Sequence, residues 1–246
     1  MTRKTNARLA GFMFLFYIVT GIANLALFNQ ATSGAEGTAA KLASIAQHAT
    51  TVRVTVLLTL CGFVSAVVLA VTIYALTRDE DRDLALLAMC FRVSEGVIAA
   101  ASAVRTLQLL AVATASTAVA APDAAAAQSF GGLLLQQSGW SGSISAICFV
   151  IGSTLYCYLF LRARSIPVPL AWLGVLASVL LLVALPVELV GVIRVPFLMW
   201  MPMLVFEVTL ALWLLIKGVN PGGVAREWPE AEAKWTPPVT VDRFAP

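Results

Sequence analysis

Six apolar runs, each about as long as a bilayer is thick, constrain this chain more than any other feature. A bilayer core is about 30 Å thick, so a helix that crosses it needs roughly 20 apolar residues. Composition agrees, because 60% of the residues are hydrophobic and 12% are charged, against about 25% charged in soluble domains. The sequence therefore predicts an all-α, polytopic integral membrane bundle of six transmembrane helices. The six runs are Leu9–Phe28, Val54–Leu76, Leu84–Val112, Ser143–Leu161, Leu170–Val190 and Pro196–Ile216.

The first run follows three basic residues, Arg3, Lys4 and Arg8, an arrangement that is also typical of a secretory signal peptide. Its apolar core is longer than the roughly 7–15 residues of a signal peptide, and no clear A-x-A cleavage site follows it. We therefore interpret the first run as a retained membrane span.

Lysine and arginine are distributed unevenly between the two sets of loops. With the N-terminus in the cytoplasm, 11 of the 16 basic residues lie on the cytoplasmic side and 3 lie in the outer loops; the other two, Arg92 and Arg105, fall inside the third run. Cytoplasmic loops of membrane proteins carry such an excess of positive charge. The bias predicts that both termini are cytoplasmic.

The two longer outer connections have helical character. Leu42, Ile45, Ala46, Ala49 and Val52 recur at helical spacing, which predicts an interfacial or packed helix that runs into the second span. The second connection, 113–142, is rich in alanine and serine, and we expect it to extend the third span before the chain turns.

Composition changes after residue 218. Residues 219–246 are rich in proline, glycine and charge, which predicts a largely disordered cytoplasmic tail. Residues 1–218 then form the six-helix transmembrane domain. Trp228 and Trp235 either dock on the membrane surface or the bundle, or are exposed aromatics of a flexible tail.

Five ionisable residues fall within the spans or close to their ends. A charged side chain at the centre of a membrane helix costs about 2.5–3.5 kcal/mol on insertion scales, so such residues face the bundle interior or water, and they pair. These five are therefore the candidate substrate- or ion-binding residues: Arg92, Glu95, Glu207, Arg105 and Glu188.

Depth suggests how these charges combine. At 1.5 Å of rise per residue, Glu95 and Glu207 each lie about 16 Å from the start of their spans. These two spans start on opposite sides of the membrane. Both are then near the midplane. Arg92 and Glu95 are three residues apart and can pair within one helix, and Glu207 is the natural third member by depth.

A second pair is predicted in the outer half of the membrane, where Arg105 and Glu188 lie at similar depth. On a helix at 100° per residue, Arg92, Glu95, Ser102 and Arg105 also share one polar stripe of the third span. This stripe should point into the bundle.

The charges have two interpretations. They are either buried ion pairs that fix how the spans pack, or a polar pocket or proton path near the midplane. A buried pair is weak evidence for stability, because its desolvation can exceed its attraction, so we favour the second. Desolvation and a nearby arginine act in opposite directions on a carboxylate's affinity for protons. Glu207 is therefore a candidate for proton exchange.

Several chemistries find no support in the sequence. The four cysteines lie in apolar runs without a CxxC pair, and we interpret them as reduced packing residues. The single histidine, His48, cannot support a multi-histidine metal site. No HExxH, GxSxG or P-loop motif occurs, and the net charge of +3 is small and scattered. We therefore expect no metal or other cofactor and no nucleic-acid partner.

Three stretches are distinctive in combination: FRVSEGVIAA in the third span, YLFLRARSIPVPLAWLGVL at the turn from the fourth to the fifth, and FEVTLALWLLIKG at the end of the sixth. Together they resemble a bacterial family of six-span integral membrane proteins known as a domain of unknown function, the 4386 type. The likeness covers about Ala7 to Val219 and implies six helices in a bacterial inner membrane, with no reaction attached. The matching positions are Arg92, Glu95, Arg164, Ser165, Pro167, Leu170, Glu207, Leu212, Trp213, Lys217 and Gly218.

The leading functional hypothesis is a small binding or transport module, surrounded by membrane lipids, whose polar site takes a small ligand or a proton. Its alternative is an accessory or sensor protein whose charges are structural and whose tail or outer loops meet a protein partner. A membrane-embedded enzyme that acts on a lipid is third, since it needs both Glu95 and Glu207 in a groove open to one leaflet. A homo-oligomer is an open alternative for any of the three.

Overall fold

The six predicted spans are helices in the computed structural model, which describes residues 1–118 and 121–219. Within these ranges each span is long and apolar enough to cross a membrane, and no strand occurs. The predicted tail after residue 218, with Trp228 and Trp235, lies almost wholly outside the described residues. In chain order the helices are α1 (Arg3–Thr32), α2 (Gly37–Gln47), α3 (Ala49–Thr77), α4 (Arg82–Ala118), α5 (Ala121–Arg162), α6 (Val168–Leu189), a 3₁₀ turn (Phe197–Trp200) and α7 (Met201–Ile216).

The six spans form a closed ring. Each packs mainly against its neighbours in the order α1, α3, α4, α5, α6 and α7, and α7 returns to pack against α1. Aromatic side chains fill part of the interior. The ring of Tyr156 meets Phe14 and Phe160 edge-on, with centroids 6.4 and 6.0 Å apart. Because every span borders the centre, residues far apart in sequence can meet there.

One end of the ring, which we call the basic end, carries the start of α1, the α3–α4 turn and the end of α5. Arg3 Nη1 lies 3.6 Å from Asp79 Oδ2, and Arg162 Nε lies 2.9 Å from Glu80 Oε1. Both arginines are partly exposed, so each pair contributes about 0–1 kcal/mol. The α3–α4 turn thus connects two other helices of the ring.

Two glycines let helices approach closely in this half of the molecule. A Cβ on Gly11 of α1 would lie 2.6 Å from the carbonyl oxygen of Ala211 in α7, and one on Gly174 of α6 would lie 2.5 Å from the ring of Phe206. Real Cβ atoms do not approach that closely. Close packing at these two positions therefore requires glycine.

The opposite end is extended by α4 and α5. At 1.5 Å per residue, their 37 and 42 residues span about 55 and 63 Å, well beyond a bilayer core. The short α2 packs against them, with Leu42 and Ile45 buried beside Leu109 and Leu134. The predicted packed helix is confirmed, although a break at His48 separates it from α3.

The third span also extends past its apolar run, as predicted. Helix α4 continues to Ala118, and α5 begins at Ala121. The connection 113–142 is thus largely helical within the described residues.

The link between α6 and α7 is irregular and apolar. Helix α6 ends at Leu189, and Gly191 adopts a positive φ of 82°, which suits glycine. Val190, Val192 and Phe197 are all strongly exposed. This segment lies beside spans that are themselves apolar outside, so it fits a location against lipid.

Candidate functional site

Arg92 and Glu95 form the predicted ion pair on α4. Arg92 Nη1 lies 2.8 Å from Glu95 Oε2, and their side chains are 1% and 3% exposed. Gly152 of α5 makes room for the arginine, since a Cβ there would lie 3.0 Å from Arg92 Cγ. The pair is therefore held inside the ring by a close α4–α5 contact.

Neighbouring helices complete the surroundings of the pair. Tyr17 of α1 donates its hydroxyl hydrogen to Glu95 Oε1 at 2.5 Å, and Ser145 of α5 donates to the Glu95 carbonyl at 3.1 Å. The guanidinium carbon of Arg92 lies 4.7 Å from the centroid of the Phe149 ring, within cation–π range. The Glu95 carboxylate thus has two partners, the Arg92 guanidinium and the Tyr17 hydroxyl.

A cavity of about 590 Å³ lies beside the pair. Most of its lining is apolar, with a few polar groups, as in many small-molecule sites. Phe149 lines the cavity and covers the guanidinium of Arg92, which does not line it. Three of the five predicted site residues line this one space: Glu95, Arg105 and Glu207.

Glu207 of α7 faces the cavity without the partners that Glu95 has. Its side chain is 6% exposed, and among the described residues its Oε1 has no hydrogen-bond partner. It lies within electrostatic range of Arg92 and Glu95. The structure therefore brings together the three midplane charges that depth grouped.

Arg105 lines the part of the cavity furthest from the ion pair along α4. It lies ten residues after Glu95, about 15 Å along the helix axis. Its Nη1 donates to Ser141 Oγ of α5 at 2.6 Å. The cavity thus has the carboxylates of Glu95 and Glu207 beside the ion pair and the guanidinium of Arg105 further along α4.

Glu188 does not line the cavity. Its Oε1 accepts the backbone N–H of Val195 at 2.9 Å, which closes the irregular link between α6 and α7. In place of the predicted Arg105–Glu188 pair, the structure gives these two described side chains different partners. The prediction was wrong because residues at a similar depth can stand on helices that are not neighbours, and the end of α6 does not lie beside the middle of α4.

Two strongly exposed residues of the cavity wall stand on α1 and on the 3₁₀ turn before α7. Ile22 and Phe197 both line the cavity and are 57% and 72% exposed. Near the basic end α1 and α7 are in close contact, where Gly11 meets Ala211. We therefore interpret the exposed positions as the mouth of the cavity, on the lateral surface of the bundle between α1 and α7.

Several residues of the site were not predicted from the sequence. Tyr17, Phe149 and Trp200 are aromatic residues within apolar runs, which is typical of ordinary packing. One signal was available for Tyr17, because tyrosine in membrane helices is enriched at the interfaces, and this one lies near the middle of α1. Gly152 and Ser145 carried no signal of their own.

The site offers no grouping suited to a metal. Within residues 1–118 and 121–219, no three His, Cys, Asp or Glu side chains are placed to hold a metal ion together. The described site presents charges, hydroxyls and aromatic rings.

A family described as "Domain of unknown function (DUF4386)" matches residues 9–218. The chain belongs to the DUF4386 family. Neither the comparison with curated proteins nor that with solved structures gives a match. The family and the six apolar helices identify a multi-pass membrane protein whose domain has no assigned function.

Proposed function

We propose that this DUF4386 protein is a binding and transport module of the bacterial inner membrane, with both termini cytoplasmic. Its site is the 590 Å³ cavity, which takes a small, mainly apolar molecule from the lipid through the gap between α1 and α7. Glu95, Glu207 and Arg105 supply the polar contacts. The observation that carries the proposal is a buried carboxylate, Glu207, facing a cavity with one oxygen unpartnered among the described residues.

The alternatives account for less of this geometry. An accessory protein whose charges only fix helix packing would explain the Arg92–Glu95 pair. It would not explain why Glu207 faces a cavity. A lipid-modifying enzyme with two working carboxylates needs Glu95 free for chemistry. Glu95 is instead held by Arg92 and Tyr17.

Cysteine labelling tests whether the cavity is open. The four native cysteines, which are free, are first replaced by alanine, and the protein is placed in lipid nanodiscs. Ser145→Cys then puts a thiol in the cavity, and Ser178→Cys puts one in the buried core of α6, outside it. We expect N-ethylmaleimide to modify the first much faster than the second. Equal, slow labelling of both would contradict an open cavity.

Two matched variants of α1 test whether molecules enter the cavity through the α1–α7 gap. Ile22→Trp narrows the mouth, whereas Val19→Trp adds the same bulk to an exposed position of α1 that does not line the cavity. In the Ser145→Cys protein we expect the first change to slow labelling and the second to leave the rate unchanged. Unchanged labelling with tryptophan at position 22 would exclude this route.

A further inference from the structure

The buried charges at the midplane do not balance. Arg92 and Glu95 neutralise each other at 2.8 Å, and Glu207 adds a second carboxylate that is 6% exposed. An unpaired ionised carboxylate in an apolar interior is costly. The cluster therefore needs one further positive charge, which either a proton on Glu207 or a bound cation can supply.

The cavity side of Glu207 suits a cation with an apolar body. Arg92 does not line the cavity, and the Phe149 ring lies over its guanidinium, so beside the ion pair a ligand meets the carboxylates rather than Arg92. Arg105, the other arginine of the site, lines the cavity about 15 Å further along α4 and donates to Ser141. Aromatic side chains of Tyr17, Phe149 and Trp200 form part of the wall. Their ring faces attract cations, most strongly where water is excluded.

The other ionisable groups around Glu207 come from three helices. Tyr17 stands on α1, Arg92 and Glu95 on α4, and Tyr156 and Cys157 on α5. Helix α6 also packs against α7, but its only ionisable residue, Glu188, bonds to Val195 instead. Among the described residues, Arg92 is the one cation that acts on Glu207 at close range, and Arg105 lies at the far part of the same cavity. Within this part of the chain, a proton or a ligand is thus the available source of a further positive charge beside Glu207.

We infer that the cavity binds a lipophilic monocation, such as an amphiphilic amine or a quaternary onium ion, in exchange for a proton at Glu207. The cation enters from the lipid, its charge pairs with the Glu207 carboxylate, and the displaced proton leaves to water. Its apolar body lies against the aromatic wall. This inference rests on the proposed function, because it names the ligand class of the same cavity.

Two probe ions of nearly the same shape and opposite charge test the inference. Tetraphenylphosphonium and tetraphenylborate are each titrated against the full-length protein in nanodiscs, and the release of protons is followed in weak buffer. We expect the cation to bind, the anion not to bind, and about one proton to leave per bound cation. Affinity should fall as pH is lowered, because protons compete for the carboxylate.

Variants at position 207 test whether Glu207 is the group that exchanges its proton for the cation. Glu207→Gln should raise the dissociation constant for tetraphenylphosphonium at least about tenfold, because a poorly solvated charge pair is lost, and it should abolish proton release. Glu207→Asp keeps the charge and should restore part of both. Glu188→Gln, which alters a carboxyl group outside the cavity, should change neither. Melting curves confirm that each variant is folded.

Three results would overturn the inference: no binding of the cation, equal binding of both ions, or unchanged binding by folded Glu207→Gln. The Ser145→Cys labelling separates these failures from failure of the proposed function. If the thiol is reactive, the cavity is open and the proposed function stands, without this ligand class or without the exchange at Glu207. If it is unreactive, the cavity is closed and both proposals fall.

Discussion

The two halves of the ring differ in how α1 and α7 meet. Toward the basic end, Gly11 brings α1 against the backbone of α7. Toward the other end, Ile22 of α1 and Phe197 of the turn before α7 are exposed and line a cavity. We interpret the close packing in one half as a source of stability for the other half, which contains the cavity and an incompletely partnered carboxylate. Sites that cost stability in this way are typical of function.

The largest effect should follow from breaking the ion pair at the boundary of the two halves. Arg92→Met leaves Glu95 buried without its cation, which costs about 3–5 kcal/mol of unfolding free energy. The double variant Arg92→Met with Glu95→Met removes both charges and should recover part of that loss. Thermal or denaturant unfolding in detergent measures both.

A surface pair provides the control for that experiment. Arg162 is 48% exposed in its pair with Glu80, and Arg162→Met should cost no more than about 1 kcal/mol. If Arg92→Met lowers the unfolding free energy no more than Arg162→Met does, the buried pair does not hold α4 in place.

A smaller effect should distinguish the halves along one helix. Gly11→Ala places a methyl group 2.6 Å from the Ala211 carbonyl oxygen, and overpacking of this kind costs about 1–3 kcal/mol. Gly21→Ala, ten residues later, meets no atom within 4 Å and should be neutral or gain up to about 1 kcal/mol from helix propensity. Equal melting temperatures for the two variants would remove the contrast between a tight and an open half.

The spans and the polar stripe were predictable because lipid imposes strong rules on composition. Hydropathy located all six helices, and spacing within one helix identified the Arg92–Glu95 pair. Depth alone grouped Glu207 with them correctly. The same reasoning failed for Arg105 and Glu188, because depth does not tell which helices are neighbours.

The cavity itself could not be read from the sequence. Its walls come from α1, α4, α5 and α7 and are ordinary residues, such as Ile22 and Phe149, whose role depends on the ring arrangement. Gly152 and Gly174 each permit one close contact, but a glycine in an apolar run does not indicate what it touches. Helix adjacency was the missing information.

Two buried carboxylates, Glu95 and Glu207, differ in their partners, and the melting temperatures of Glu95→Gln and Glu207→Gln beside the parent test the consequence of that difference most directly. Glu95 is paired with Arg92 and Tyr17, so its substitution should lower stability by several kcal/mol, roughly 3–5. Glu207 faces the cavity with one oxygen unpartnered among the described residues, so its substitution should leave stability unchanged or raise it. A large and similar fall in both would show that Glu207 also holds the bundle together, and would contradict its assignment as a site kept for binding.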